Sequence, residues 1–218
     1  MDWYEFGAKI ALIYVPLLFS LCIHEYAHGV VAKWKGDMTA ERQGRLNLNP
    51  ISHADPIGTF VLPLSMLWLN GPVIGWGKPV PVDERNMKNP RVDMFWVAFA
   101  GPISNMLMGI VGAIIVAVTM VYFPVQKYSN AVQTFFFAFI RINLLLAIFN
   151  LIPVHPLDGG KVLARFLPQS ANDKLEANQQ ISGMILMFLM LTGMLSFLFQ
   201  PIGAVSVYLV AFFQSIIS

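Results

Sequence analysis

A chain of 218 residues with 56% hydrophobic and only 12% charged residues is much poorer in charge than a soluble domain, where about 25% is usual. With a mean hydropathy of +0.63, this excludes an ordinary soluble domain and predicts an integral membrane protein embedded in the lipid bilayer. A formal net charge of +2, set by basic residues in short juxtamembrane groups, excludes nucleic acid as a partner, and the single Cys22 allows no internal disulfide.

Five apolar runs are long enough to span a bilayer as helices, which takes about 20 residues: 6–32, 93–123, 132–155, 181–199 and 201–217. The first lacks a basic leader and holds the chain's most chemically loaded residues, so it is expected to persist in the mature protein. Residues 57–76 are also apolar, but Pro63 and Gly71-Pro72 interrupt them, and Gly75, Gly77, Pro79 and Pro81 follow. Backbone of this kind is tolerated at membrane depth only when buried in protein or lining a wet cavity. The expectation for 57–82 is therefore a re-entrant segment with a β-hairpin, whose exposed strand edge could pair with an extended peptide.

Charge points the same way. Lys33, Lys35, Arg42 and Arg45 precede the segment, and Lys78, Arg85, Lys88 and Arg91 follow it. A re-entrant path leaves both groups, with Lys161, Arg165 and Lys174, on one cytoplasmic side, and Lys9 and Lys127 outside. Arg141 lies inside 132–155, where it is expected to snorkel outwards or to pair within the bundle. Pro201 is expected to break the last two runs into a C-terminal helical hairpin, 181–217. The predicted fold is an all-α polytopic membrane protein of five to six transmembrane helices, a single domain over 1–218.

The chemistry concentrates in the first run. LCIHEYAHGVV places His24 and His28 four residues apart, so a helix presents both imidazoles on one face with Glu25 beside them, the H-E-x-x-H arrangement. Two neutral imidazoles can hold Zn²⁺, and an adjacent carboxylate can take a proton from water. Ionisable residues within a hydrophobic helix are functional candidates in their own right. A catalytic zinc site usually has three protein ligands and one open position. Asp158 is the best third ligand: in FNLIPVHPLDGGKVL, Pro153 and Pro156 prevent a regular helix and Gly159-Gly160 permits a sharp turn towards the His pair.

HEYAH at 24–28, GRLNLNPISHADPIGT at 44–59, GWGKPVPVDERNMKNPR at 75–91, AFAGPISN at 98–105 and NLIPVHPLDGG at 150–160 together resemble the site-2 protease family of intramembrane metalloproteases. The resemblance spans most of the chain and is nearest to the short bacterial branch without an inserted PDZ domain. It implies one Zn²⁺ per chain held by His24, His28 and Asp158, Glu25 as general base, and Asn150 as a residue that holds substrate backbone. It also implies a core of three helices carrying the His pair, AGPISN and Asp158. The substrates would be transmembrane proteins, and the location a bacterial cytoplasmic membrane with the active site nearer the cytoplasm. Release of a membrane-tethered regulator, or clearance of leftover signal peptides, is the activity so implied.

His155 stands where that family commonly has another residue, often proline; it is expected to pack or lie at the surface. His53 is expected to make a structural hydrogen bond; Ala100, Gly101 and Gly109 suit close helix contact, as easily structural as functional, and Asn105 is expected to pack or to hydrogen-bond across helices. Two other function classes fit the same His and Asp residues: a membrane metal transporter or channel, and a protease-like binding protein that cuts nothing. A single tight site with an adjacent glutamate suits hydrolysis better than conduction, which needs several weak sites.

Overall fold

The computed structural model describes residues 2–123 and 129–218, so Lys127 lies outside the described residues. Among the described residues the chain is helical and no β-strand forms. The helices are α1 (Trp3–Trp34), α2 (Pro56–Trp68), α3 (Pro90–Tyr122), α4 (Ser129–Asn150), α5 (Asp158–Ala164), α6 (Gln169–Ala177), α7 (Gln179–Leu191) and α8 (Ser196–Ile217). Of these, α1, α3, α4 and α8 are long and apolar enough to cross a membrane.

Helix α1 starts at Asp2, whose carboxylate accepts the Glu5 N–H at 2.7 Å. Pro16 has no N–H to return to the preceding turn, and the helix widens to a π turn over Ile10–Tyr14 just before it. Beyond that point Pro16, Ser20, His24, His28 and Ala32 fall at fourth positions and are all buried, so one face of α1 carries small and polar groups inwards. That face meets α3, the central helix, which also packs on α4, α5 and α8. Ala113 and Val116 of α3, Ile140 and Leu144 of α4, and Ile202 and Val210 of α8 form one buried cluster. Lipid tails are as apolar as these side chains, so close van der Waals fit holds the helices together more than hydrophobic exclusion does.

The C-terminal helices depart from expectation. Pro201 lies inside α8, and the break between the last two helices comes earlier, around Gly193, whose φ of +72° is left-handed and suits a residue without Cβ. Ending at Leu191 leaves α7 with 13 residues, or about 20 Å of helix, less than the hydrocarbon thickness of about 30 Å.

Residues 57–82 are helical in their first half. Asp55 caps α2 by accepting the N–H groups of Ile57 and Gly58 at 3.0 and 2.7 Å. The second half runs extended without joining a sheet. Its regular pairing is one antiparallel bridge between Ala54 and Gly77, flanked by Lys78 N–H to His53 carbonyl at 2.8 Å and Trp76 N–H to Gly58 carbonyl at 3.0 Å. The physical reason is in the sequence: Pro79 and Pro81 carry no N–H, so a ladder cannot continue past Lys78. The Arg45 guanidinium donates instead to the carbonyls of Lys78 and Pro79, at 2.9 and 3.3 Å.

Asp37, almost fully buried between the end of α1 and this segment, anchors its far end. Its carboxylate accepts the Asp83 N–H at 2.7 Å, the Asn86 side-chain amide at 2.9 Å and the Thr39 N–H at 3.0 Å. Burial pushes the Asp37 carboxyl up, but the donors from Thr39, Asn86 and Asp83 outweigh it and hold it below the usual carboxylate range. A carboxyl lowered by folding stabilises above its unfolded pKa near 4, and that contribution fades as pH falls towards the folded value. Asp37→Ala should weaken the tether by about 2 kcal/mol and speed limited proteolysis within 77–89. Wild-type protection should stay level from about pH 8 to 5 and fall below about pH 4, whereas Asp37→Asn should remove that acid-dependent loss.

Candidate metal centre

His24 and His28 leave the buried face of α1 towards α3, and the approach is close enough to dictate a residue there. A Cβ on Gly101 would lie 2.5 Å from His28 Nε2 and 2.6 Å from His24 Nε2, so only glycine leaves room for the two rings. Asp158, at the first position of α5, supplies a carboxylate from the other side. His24 Nε2 and Asp158 Oδ2 are 3.0 Å apart, His28 Nε2 and Asp158 Oδ2 3.3 Å, and the two Nε2 atoms 3.1 Å.

The remaining ring nitrogens fix what those atoms are. His28 Nδ1 faces the Val97 carbonyl at 2.6 Å; a carbonyl only accepts, so Nδ1 carries the hydrogen and neutral Nε2 is a bare lone pair. His24 is fixed through a relay. Asn143 donates to the Phe139 carbonyl at 2.9 Å, which turns its own oxygen to accept from Asn105 Nδ2 at 3.0 Å. Asn105 must then present its oxygen to His24 Nδ1, 2.6 Å away, so His24 Nε2 is also a lone pair. Both asparagines are fully buried.

Two lone pairs and a carboxylate oxygen therefore face one another with no hydrogen between them. That arrangement repels unless a cation joins it. Three ligands about 2.0–2.1 Å from one tetrahedral ion stand about 3.3 Å apart, close to the separations found. Among the described residues this is the one group of His, Cys, Asp and Glu side chains able to hold a metal.

The trio opens into a cavity of about 610 Å³ that Glu25, Asn150, Trp76, Val80 and Phe149 also line. Val80 is buried there, and its backbone N–H donates to Glu25 Oε2 at 2.8 Å. The extended segment thus lies over the cleft and takes one oxygen of the carboxylate, leaving the other free of a protein partner among the described residues.

The sequence profile of peptidase family M50 matches residues 116–194. The chain is 33% identical over 189 residues to a Bacillus subtilis protein named "Putative zinc metalloprotease YwhC", a match covering 86% of this chain and 83% of that one. The chain belongs to peptidase family M50, the site-2 protease family. A Mycolicibacterium smegmatis relative, "Putative zinc metalloprotease Rip2", is 26% identical over 207 residues, 92% of this chain and 77% of its own. No solved structure gives a significant match. With four membrane-length apolar helices among the described residues, this member of family M50 is an integral membrane protein.

The M50 residues singled out in the sequence fall as follows. His24, His28 and Asp158 converge, and Glu25 and Asn150 share their cavity. The Asn150 amide donates to the Leu146 carbonyl of its own helix at 2.9 Å, so its carbonyl oxygen is the group left to face a ligand. His53 is buried and bonds the Asn47 carbonyl through Nε2 at 2.7 Å. His155 is buried outside the trio, lining another cavity that shares Met94 and Lys161 with the cleft as wall residues. Gly101, read as a residue of close helix contact, leaves room for both imidazoles, and Asn105, expected to pack or to hydrogen-bond across helices, bonds His24. Asn143 was not singled out at all; an asparagine in the run INLLLAIFN was the available signal, since an amide in an apolar helix needs a buried partner. Asn105→Ala should lower metal affinity about ten- to a hundredfold, read by competition with a graded series of chelators, and Gly101→Val should abolish tight binding.

Proposed function

We propose that this chain is an intramembrane zinc metalloprotease that hydrolyses peptide bonds in or near the transmembrane segments of membrane proteins, with His24, His28 and Asp158 as the zinc ligands and Glu25 as general base. The observation that carries this reading is a three-acceptor trio with a carboxylate beside it, at the floor of a cleft within an apolar bundle. The names of the relatives as zinc metalloproteases support the choice of metal.

Zinc, when bound, supplies Lewis acidity and makes water acidic enough to ionise near neutral pH. Glu25 accepts the proton of the attacking water on Oε1, since Val80 N–H holds Oε2, and returns it to the leaving amine. Asn105 and the Val97 carbonyl keep both rings in the tautomer that points Nε2 at the metal. A transmembrane substrate has its amides bonded within its own helix, so it must unwind locally before attack. Asn150, through its free carbonyl oxygen, receives an amide N–H released by that unwinding. The carbonyls of the extended segment serve as further acceptors; Pro79 and Pro81 make that edge poor in donors, so acceptors are what it offers.

The lysines and arginines around 33–45, 78–91 and 161–174 support a cleft nearer the cytoplasm, and the bacterial relatives support a bacterial cytoplasmic membrane. Release of a membrane-tethered regulator, or removal of spent signal peptides, is the biological outcome that fits. Purified Glu25→Gln should retain about one zinc per chain and lose cleavage of transmembrane peptides by about 10³-fold or more. Zinc transport or partner binding that survives in this variant, with no cleavage by the wild type, would assign the chain to a transporter or a binding protein.

A further inference from the structure

Arg141 is the charge that the bundle leaves without a role. It lies roughly 18 Å along α4 from its start at Ser129 and roughly 13 Å from its end at Asn150, by the rise of 1.5 Å per residue, near the middle of a membrane-length helix. Its side chain is exposed and has neither ion pair nor hydrogen bond among the described residues. Of the two expectations for it, pairing within the bundle is not found among the described residues.

Its surroundings are equally unusual for a lipid-facing surface. Asn130, Thr134, Phe137 and Arg141 repeat at helical spacing, and with Gln133 and Ala138 they line a shallow groove of about 480 Å³. This stripe is on the opposite side of α4 from Asn143, Ala147 and Asn150, which face the metal centre and its cleft. The helix directs side chains towards its N-terminal end, so Arg141 leans into the groove, but the end of the helix is beyond its reach.

A charge exposed to hydrocarbon is costly unless it is paired. The acid that pairs with it does not come from a second copy of this chain. Within the membrane-length helices the carboxylates are Glu5, bonded to Lys9; Glu25, inside the cleft; and Asp93, buried with Lys35. We propose that the Asn130–Arg141 stripe docks the transmembrane helix of a partner protein carrying an aspartate or glutamate near mid-span. Asn130, Gln133 and Thr134 offer that helix hydrogen bonds on the outer side of the ion pair, and the docked helix is separate from any peptide in the cleft. The assignment stands whether or not the cleft is proteolytic.

The test uses the full chain in phosphatidylcholine nanodiscs and a labelled Leu/Ala transmembrane helix with one central residue varied, with association read by energy transfer. The wild type should bind the central-Asp helix about tenfold or more tightly than the central-Leu helix. Arg141→Leu should abolish that preference, and Arg141→Glu should transfer it to a central-Lys helix, a gain that misfolding cannot produce. Equal binding of the Asp and Leu helices to the wild type, or an Asp preference that persists in Arg141→Leu, would overturn the proposal. So would loss of Asp-helix binding when phosphatidylglycerol replaces part of the lipid, because Arg141 would then be satisfied by lipid phosphate.

Discussion

Three acceptor atoms held 3.0–3.3 Å apart inside an apolar bundle repel one another, and much of the structure around them maintains that confrontation. In the neutral tautomers that the surrounding acceptors select, each ring spends its one N–H away from the trio. His28 gives it to a backbone carbonyl of α3, and His24 gives it to an amide locked by another amide on α4. The consequence is a site whose charge deficit is built in before any metal arrives. Tautomers, ring planes and carboxylate position are set by three helices together, and no one helix could fix them alone.

The central helix α3 carries much of that burden. It must come near enough to α1 for a glycine to be required at 101, and its Val97 carbonyl must also accept from His28. Pro102, directly after that glycine, has no N–H for the carbonyl of Ala98, which loosens the backbone next to the rings. Close approach, an extra acceptor and a local relaxation occur within Val97–Asn105, the stretch that contains AFAGPISN. Packing and chemistry are served there by the same residues.

The degree to which the sequence foretold this differs by element. The H-E-x-x-H spacing needs only helical geometry, so the His pair was legible, and the Pro-Gly irregularity around Asp158 gave reason to expect a carboxylate able to turn towards it. The long apolar runs gave α1, α3, α4 and α8 to within a few residues. The C-terminal break falls earlier than Pro201 suggests, because a proline is a louder signal than a glycine: the helix ends before Gly193, and Pro201 is accommodated within α8. The extended half of 57–82 was read as an exposed edge from its lack of helix formers; that Pro79 and Pro81 also deny it a ladder was in the sequence but received too little weight. The Asn105–Asn143 relay was out of reach, because it depends on which faces of two helices meet, and sequence spacing within either helix says nothing about that.

The bond between Glu25 and the backbone N–H of Val80 has a practical corollary for anyone who maps this cleft by mutation. The donor belongs to the main chain, so replacing the valine by any residue that keeps its amide leaves the carboxylate's partner where it was. A conventional alanine survey would pass over position 80 as a mere wall residue, and the group that orients the Glu25 carboxylate would go undetected. Only chemistry that alters the peptide link itself, such as an ester in place of the amide, can reveal how strongly that contact governs the glutamate.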